Sequence, residues 1–138
     1  MLTGKDYCDY DTCVALREMG YDGYCAAYYH LFDDEDDAQN SFEYACGFDF
    51  QNSNNIYRVG APLLYQAQKW LREEKHIDAL VYLDDLKGYF PFIRIWEGSW
   101  KTFISLEEME DKKVSYFVNY EEALSEGIKE AVKILKEK

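Results

Sequence analysis

The stretch Ile77-Asp78-Ala79-Leu80-Val81-Tyr82-Leu83-Asp84-Asp85-Leu86-Lys87-Gly88-Tyr89-Phe90-Pro91-Phe92-Ile93-Arg94-Ile95-Trp96 decides the fold. Ile77, Ala79, Val81 and Leu83 alternate with Asp78, Leu80, Tyr82 and Asp84. A period of two marks a strand with one face turned to a core. The run ends at Asp85-Leu86-Lys87-Gly88, which reads as a hairpin turn, so residues 89–96 are expected to return antiparallel to it. Pro91 has no amide hydrogen to give to a ladder, so its strand is expected at an edge, or with the Pro91 amide side turned outward.

Upstream of this hairpin, Pro62 has the backbone angle of a first helical position, and Leu63, Ala67, Trp70, Leu71 and Glu74 follow at helical spacing, which predicts a helix over about 62–75. Downstream, Trp100–Ile104 and Val114–Val118 are candidate third and fourth strands, separated by the charged turn Glu107 to Lys113. Asn119-Tyr120-Glu121-Glu122 has the form of a capping box, and Leu124, Ile128, Ala131, Val132 and Leu135 make an apolar stripe on a final helix of about 120–136. The order after residue 60 is helix, strands, helix. This predicts an α+β fold, an antiparallel β-meander packed against two or three helices, two of them covering one sheet face.

The first 59 residues are harder to read. Asp11 to Gly20 predicts a short helix of about 9–19, opened by a capping residue and closed by glycine. Tyr24–Leu31 is compatible with a strand, while Ala26 and Ala27 keep a helix open. The acid block Asp33-Asp34-Glu35-Asp36-Asp37 is expected to be exposed, as a loop or a helix start. From there to about Arg58 no period is visible. Without an internal repeat or a Pro- or Ser-rich linker, the chain reads as one domain over 1–138, with 1–59 an acidic extension to a helix–meander–helix core at 60–138.

Composition narrows the function. A chain of 138 residues buries about two-thirds of its unfolded surface, and its 48% hydrophobic content supports a core. Of the net charge of −12, residues 1–59 hold −9 and residues 60–138 hold −3. Such a field repels phosphate backbones and acidic membranes, so no direct nucleic acid and no membrane are expected among its partners. No stretch approaches the roughly 18 apolar residues that span a bilayer, and the first residues lack the apolar centre of a signal peptide. A cytoplasmic location is expected, with Cys8, Cys13, Cys25 and Cys46 as reduced thiols.

No catalytic residue, metal site or cofactor loop emerges from the motifs. His30 and His76 accompany no nucleophile signature; His76 fits a helix end, where an imidazole meets exposed carbonyls. Cys8, Cys13, Cys25 and His30 are zinc-ligand types, but their intervals fall outside the usual pairs, and buried thiols are the ordinary alternative. The acid block lacks the alternation and central glycine of a calcium loop. No glycine pattern cradles phosphate. Trp70, Trp96 and Trp100 fit core packing or a stacking groove.

Ala61-Pro62, Gln68-Lys69-Trp70-Leu71-Arg72-Glu73-Glu74-Lys75-His76-Ile77, the Tyr-rich meander and Tyr120-Glu121-Glu122-Ala123-Leu124 together resemble a group of small proteins of Bacteroides-type gut-bacterial genomes, phages and mobile elements. The resemblance covers roughly residues 8–31 and 60–138, and that group carries no established activity. The helix–meander–helix order is also similar to that of double-stranded RNA-binding domains. Those domains start their last helix with phosphate-gripping lysines; here it starts with Glu121 and Glu122.

The expected function is a non-catalytic module that binds a protein partner or self-associates, its candidate contacts being Asp33, Asp34, Glu35, Asp36, Asp37, Trp96 and Trp100. A small enzyme or small-molecule binder, with a pocket between the sheet and residues 32–58, is the alternative. In electrophoretic shift assays at low salt, where screening is weakest, neither DNA nor RNA should be retarded; a salt-sensitive shift would reveal a basic face.

Overall fold

The computed structural model describes residues 3–45, 50–51, 57–102 and 116–137. They fall into two compact units, Met1–Ala67 and Gln68–Lys138, in an α+β fold. Among the described residues no helix is long and apolar enough to cross a membrane.

In the first unit, helix α1 (Tyr10–Glu18) is capped by Asp9, two residues before the expected Asp11: the Asp9 carboxylate accepts the Thr12 amide at 3.0 Å. Gly20, at φ 104°, makes the expected left-handed exit. The aromatic run forms two short strands, β1 (Tyr24–Cys25) and β2 (Ala27–His30), which closes the helical alternative. After helix α2 (Glu35–Gln39) come β3 (Glu43–Tyr44), β4 (Phe50–Gln51) and β5 (Arg58–Gly60). β1 pairs with β4, and a second antiparallel sheet has the order β3-β2-β5. Ala27, Tyr29 and Val59 on one face of that sheet are buried, and the Tyr29 hydroxyl donates to the Cys8 carbonyl at 3.0 Å. Cys13 and Leu16 complete this core from α1.

Helix α3 (Leu64–Lys75) begins two residues after Pro62, because the Pro62 carbonyl accepts the Cys8 amide and Leu63 bridges to Tyr7 in extended pairing. The Gln66 side chain accepts the Leu63 amide at 2.9 Å and so closes the first turn. At its far end His76 adopts a left-handed backbone (φ 58°), which costs a non-glycine residue roughly 1–2 kcal/mol. Its carbonyl accepts the Trp96 amide at 2.9 Å, tying the helix exit to the hairpin that follows.

That hairpin is β6 (Ile77–Asp84) and β7 (Gly88–Trp96), in register from Ile77↔Ile95 to Asp84↔Gly88. The Asp84 carboxylate accepts the Leu86 and Lys87 amides at 2.9 and 3.0 Å. Gly88 stands at φ 110°, and a Cβ there would lie 2.7 Å from the Phe117 carbonyl oxygen, so a side chain is excluded twice over. β8 (Trp100–Thr102) pairs with Arg94–Trp96, giving the consecutive order β6-β7-β8 of a meander. The rest of the expected third strand, the charged turn and Val114–Ser115 lie outside the described residues; Phe117 forms an isolated bridge with Tyr89.

Pro91 therefore sits in the middle strand, and register explains how. The Trp96 amide points to β6 and the Tyr89 amide to Phe117, so odd positions of β7, Pro91 among them, face away from the β6 ladder. The edge position expected for this strand is thus replaced by a middle one, in which the amide side of Pro91 faces the β8 and Phe117 side and the β6 ladder needs no donor from it.

Helix α4 (Tyr120–Lys136) is capped by Asn119, whose side chain accepts the Glu122 amide at 2.9 Å. It packs on β6 and β7 so closely that a Cβ on Gly127 would come within 3.1 Å of Pro91 Cβ and 3.5 Å of Ala79 Cβ. The covered sheet face is thus that of Ile77, Ala79, Pro91, Ile93 and Ile95, all buried. Leu124, Ile128, Ala131 and Val132 are buried against it. The buried arc extends to Ala123, Gly127 and Ile134, whereas Leu135, one residue from the helix end, is only half-buried.

Ile128 is fully buried in this layer, so Ile128→Ala should lower the unfolding free energy by about 2–5 kcal/mol in chemical denaturation. An unchanged midpoint would contradict the placement of α4 over the sheet.

Candidate functional site

Strand alternation gives the meander a second face, opposite α4, carrying Asp78, Leu80 and Tyr82 from β6, and Phe90, Phe92, Arg94 and Trp96 from β7. Trp96 and Trp100 are cross-strand partners on β7 and β8, with ring centroids 5.5 Å apart in an edge-on arrangement. Trp96 is 46% exposed and Trp100 half-buried. Both tryptophans singled out in the sequence thus come together at one end of an antiparallel ladder.

Further along this face, Phe90 is buried between the rings of Tyr82 and Tyr116, with centroids at 5.2 and 5.3 Å. At its inner end Asp78 is 9% exposed, and its Oδ1 stands 3.7 Å from an Arg72 guanidinium nitrogen. Burial raises the Asp78 carboxyl above its ordinary pKa, while Arg72 and Arg94 act in the opposite sense. Among the described residues Asp78 Oδ1 and Arg94 Nε have no partner within hydrogen-bond distance, although the two residues face each other across the strands.

The acid block belongs to the other unit. All five residues are exposed; Asp34 caps α2, its Oδ1 accepting the Asp36 and Asp37 amides at 2.8 and 3.1 Å. Glu35, Asp36 and Asp37 fill the first helical turn, where the helix dipole favours negative charge. Among the described residues no group of three or more His, Cys, Asp or Glu side chains has the arrangement of a metal site.

A polar cluster on the β3-β2-β5 sheet was only partly visible in the sequence. Tyr28 and His30 share the face opposite Tyr29, and pairing brings Glu43 beside Tyr28 and Arg58 beside His30. Glu43 Oε2 accepts the Tyr28 hydroxyl at 2.8 Å and lies 3.2 Å from His30 Nε2. The Arg58 guanidinium sits 4.6 Å above the Tyr28 ring, and His30 stacks on Phe32 at 5.7 Å. His30 stands out in the sequence, but Glu43 and Arg58 lie in or beside the stretch without a period.

A carboxylate fixing an imidazole is part of a hydrolytic arrangement. The neighbouring Ser41 hydroxyl is committed elsewhere: it accepts the His30 amide at 2.8 Å and donates to the Ala38 carbonyl at 2.6 Å. The thiols are no better suited to attack. Cys8, Cys13 and Cys25 are buried, and desolvation raises the pKa of Cys8 and Cys13, which keeps both protonated. Cys46 lies outside the described residues.

Comparison with protein-family models, with curated proteins and with solved structures finds no match.

The hydrogen bond from Tyr28, then that from His30, lowers the Glu43 carboxyl below its ordinary value of 4.5. A lowered acid contributes stability above the ordinary value and loses it as pH falls through the folded one. Tyr28→Phe should therefore move the Glu43 carbon resonance midpoint upward in an NMR titration, and the stability gap to wild type should narrow on acidification below about pH 4. An unmoved midpoint would assign the shift to another group.

Proposed function

We propose that the chain is a non-catalytic protein-interaction module whose contact surface is the aromatic end of β7 and β8 at Trp96 and Trp100. The observation that carries this reading is the pairing of two tryptophans on a hydrogen-bonded ladder, with one ring half in solvent. Tryptophan is enriched among the few residues that dominate binding energy, and a ring held by a sheet loses little freedom on contact. An exposed ion pair between Lys101 and Glu97, at 3.7 Å, provides a polar rim.

In a narrower form, the module is a phage or mobile-element factor acting on a host protein. The exposed block Asp33–Asp37 then imitates a phosphate backbone toward a basic partner and speeds its approach. The cluster of Tyr28, His30, Glu43 and Arg58 favours a second reading, a small-molecule binder on the polar sheet face, since convergent titratable groups suit an oriented polar ligand.

A photo-crosslinking amino acid placed at position 96 or 100, in cells of the native host, should capture one predominant protein. The same group at Lys133, exposed on α4, should not. Identical adducts from position 133 would remove the tryptophan surface from consideration.

A further inference from the structure

A different part of the meander exposes aliphatic surface that folding leaves unused. At the β6–β7 turn Leu86 is 96% exposed, and Val118, next to the residue that bridges Tyr89, is 92% exposed. Leu83 is cross-strand to Tyr89, and the Tyr89 ring meets that of Tyr120 at 6.1 Å. Leu83 and Tyr120 are both substantially exposed, as is Tyr82 on the opposite sheet face. α4 begins at Tyr120, so this end of the hairpin stands at the start of the helix, where burial by α4 gives out. Exposed apolar side chains scattered singly are ordinary; a group gathered at one end of a sheet marks a contact surface.

Charge says what covers it. Asp85 in the turn and Glu121 and Glu122 in the first turn of α4 are exposed around the patch, and Asp84 is half-buried beside it. The base at this end among the described residues, Lys87, lies over the Tyr116 ring, 5.4 Å from its centroid. A second copy would set these acids against their duplicates, and an anionic membrane would be repelled by them. We infer that the hairpin end formed by Leu83, Leu86, Val118 and Tyr120 is a second docking surface, for an apolar segment of a partner protein flanked by lysine or arginine. It lies seven residues along β7 from Trp96, about 23 Å, and stands independently of the tryptophan surface.

The probe is a synthetic amphipathic peptide of about four helical turns, leucines on one face and lysines beside them, titrated into the full chain. Binding should be salt-sensitive, and NMR amide shifts should concentrate at Leu86, Val118 and Tyr120 rather than at Trp96. Leu86→Ser and Val118→Ser remove surface side chains and should leave folding intact, yet each should weaken binding about tenfold. Glu121→Gln with Glu122→Gln should weaken it less and flatten its salt dependence. Trp96→Ala should leave it unchanged, so this surface and the tryptophan surface succeed or fail separately. Equal binding of a peptide with glutamates for lysines, or of the scrambled peptide, would overturn the inference. So would shifts centred on Trp96, indifference to Leu86→Ser, a Leu86-dependent dimer in sedimentation, or uptake onto neutral lipid vesicles.

Discussion

Sliding β7 by one residue along β6 would take Ile93 and Ile95 out from under α4 and put Phe92 and Arg94 in their place. The second unit depends on preventing that slip. Asp84 and Gly88 pin the turn, one by accepting two amides and the other by a backbone that no side chain tolerates. Gly127 pins the helix, since its close approach to Ala79 and Pro91 works only where those two small side chains lie side by side on one face. His76 closes the other end by joining the exit of α3 to the last residue of β7.

The same register leaves the second sheet face with a mixture that packing alone does not account for. Aromatic rings fill most of it, yet Asp78 and Arg94 oppose one another there, each with an atom that finds no hydrogen bond among the described residues. A buried carboxylate near two guanidinium groups is costly in desolvation and modest in net attraction. Its role fits alignment: a strand register that separated Asp78 from Arg94 would leave the buried carboxylate with Arg72 alone and take from Arg94 the carboxylate it faces.

How much of this was legible follows from strand length. Eight residues of alternation in β6 announce themselves, the turn that follows announces the return of β7, and the stripe from Leu124 to Val132 does the same for α4. In the first unit the strands are two to four residues long, too short for a period to show. The cluster around His30 was therefore hidden: the distance between Glu43 and His30 is set by a pairing that two residues of β3 cannot signal. Asp33–Asp37 was readable as exposed because its charge density leaves little choice, and its helical start depends on the single cap at Asp34. Trp96 and Trp100 were identified as residues, but their pairing required the tight return of β7 into β8.

The placement of cysteine and tryptophan gives the molecule two separate voices. All four cysteines fall within Met1–Ala67, and all three tryptophans within Gln68–Lys138. Cys8, Cys13 and Cys25 are shut away from solvent, so an added thiol reagent reaches them only when the first unit opens, and its labelling rate becomes a clock for that opening. Indole emission, arising wholly from the other unit, follows the meander and α4 through the same experiment. Native residues alone, without an engineered probe, thus allow the opening of the two units to be timed in one cuvette.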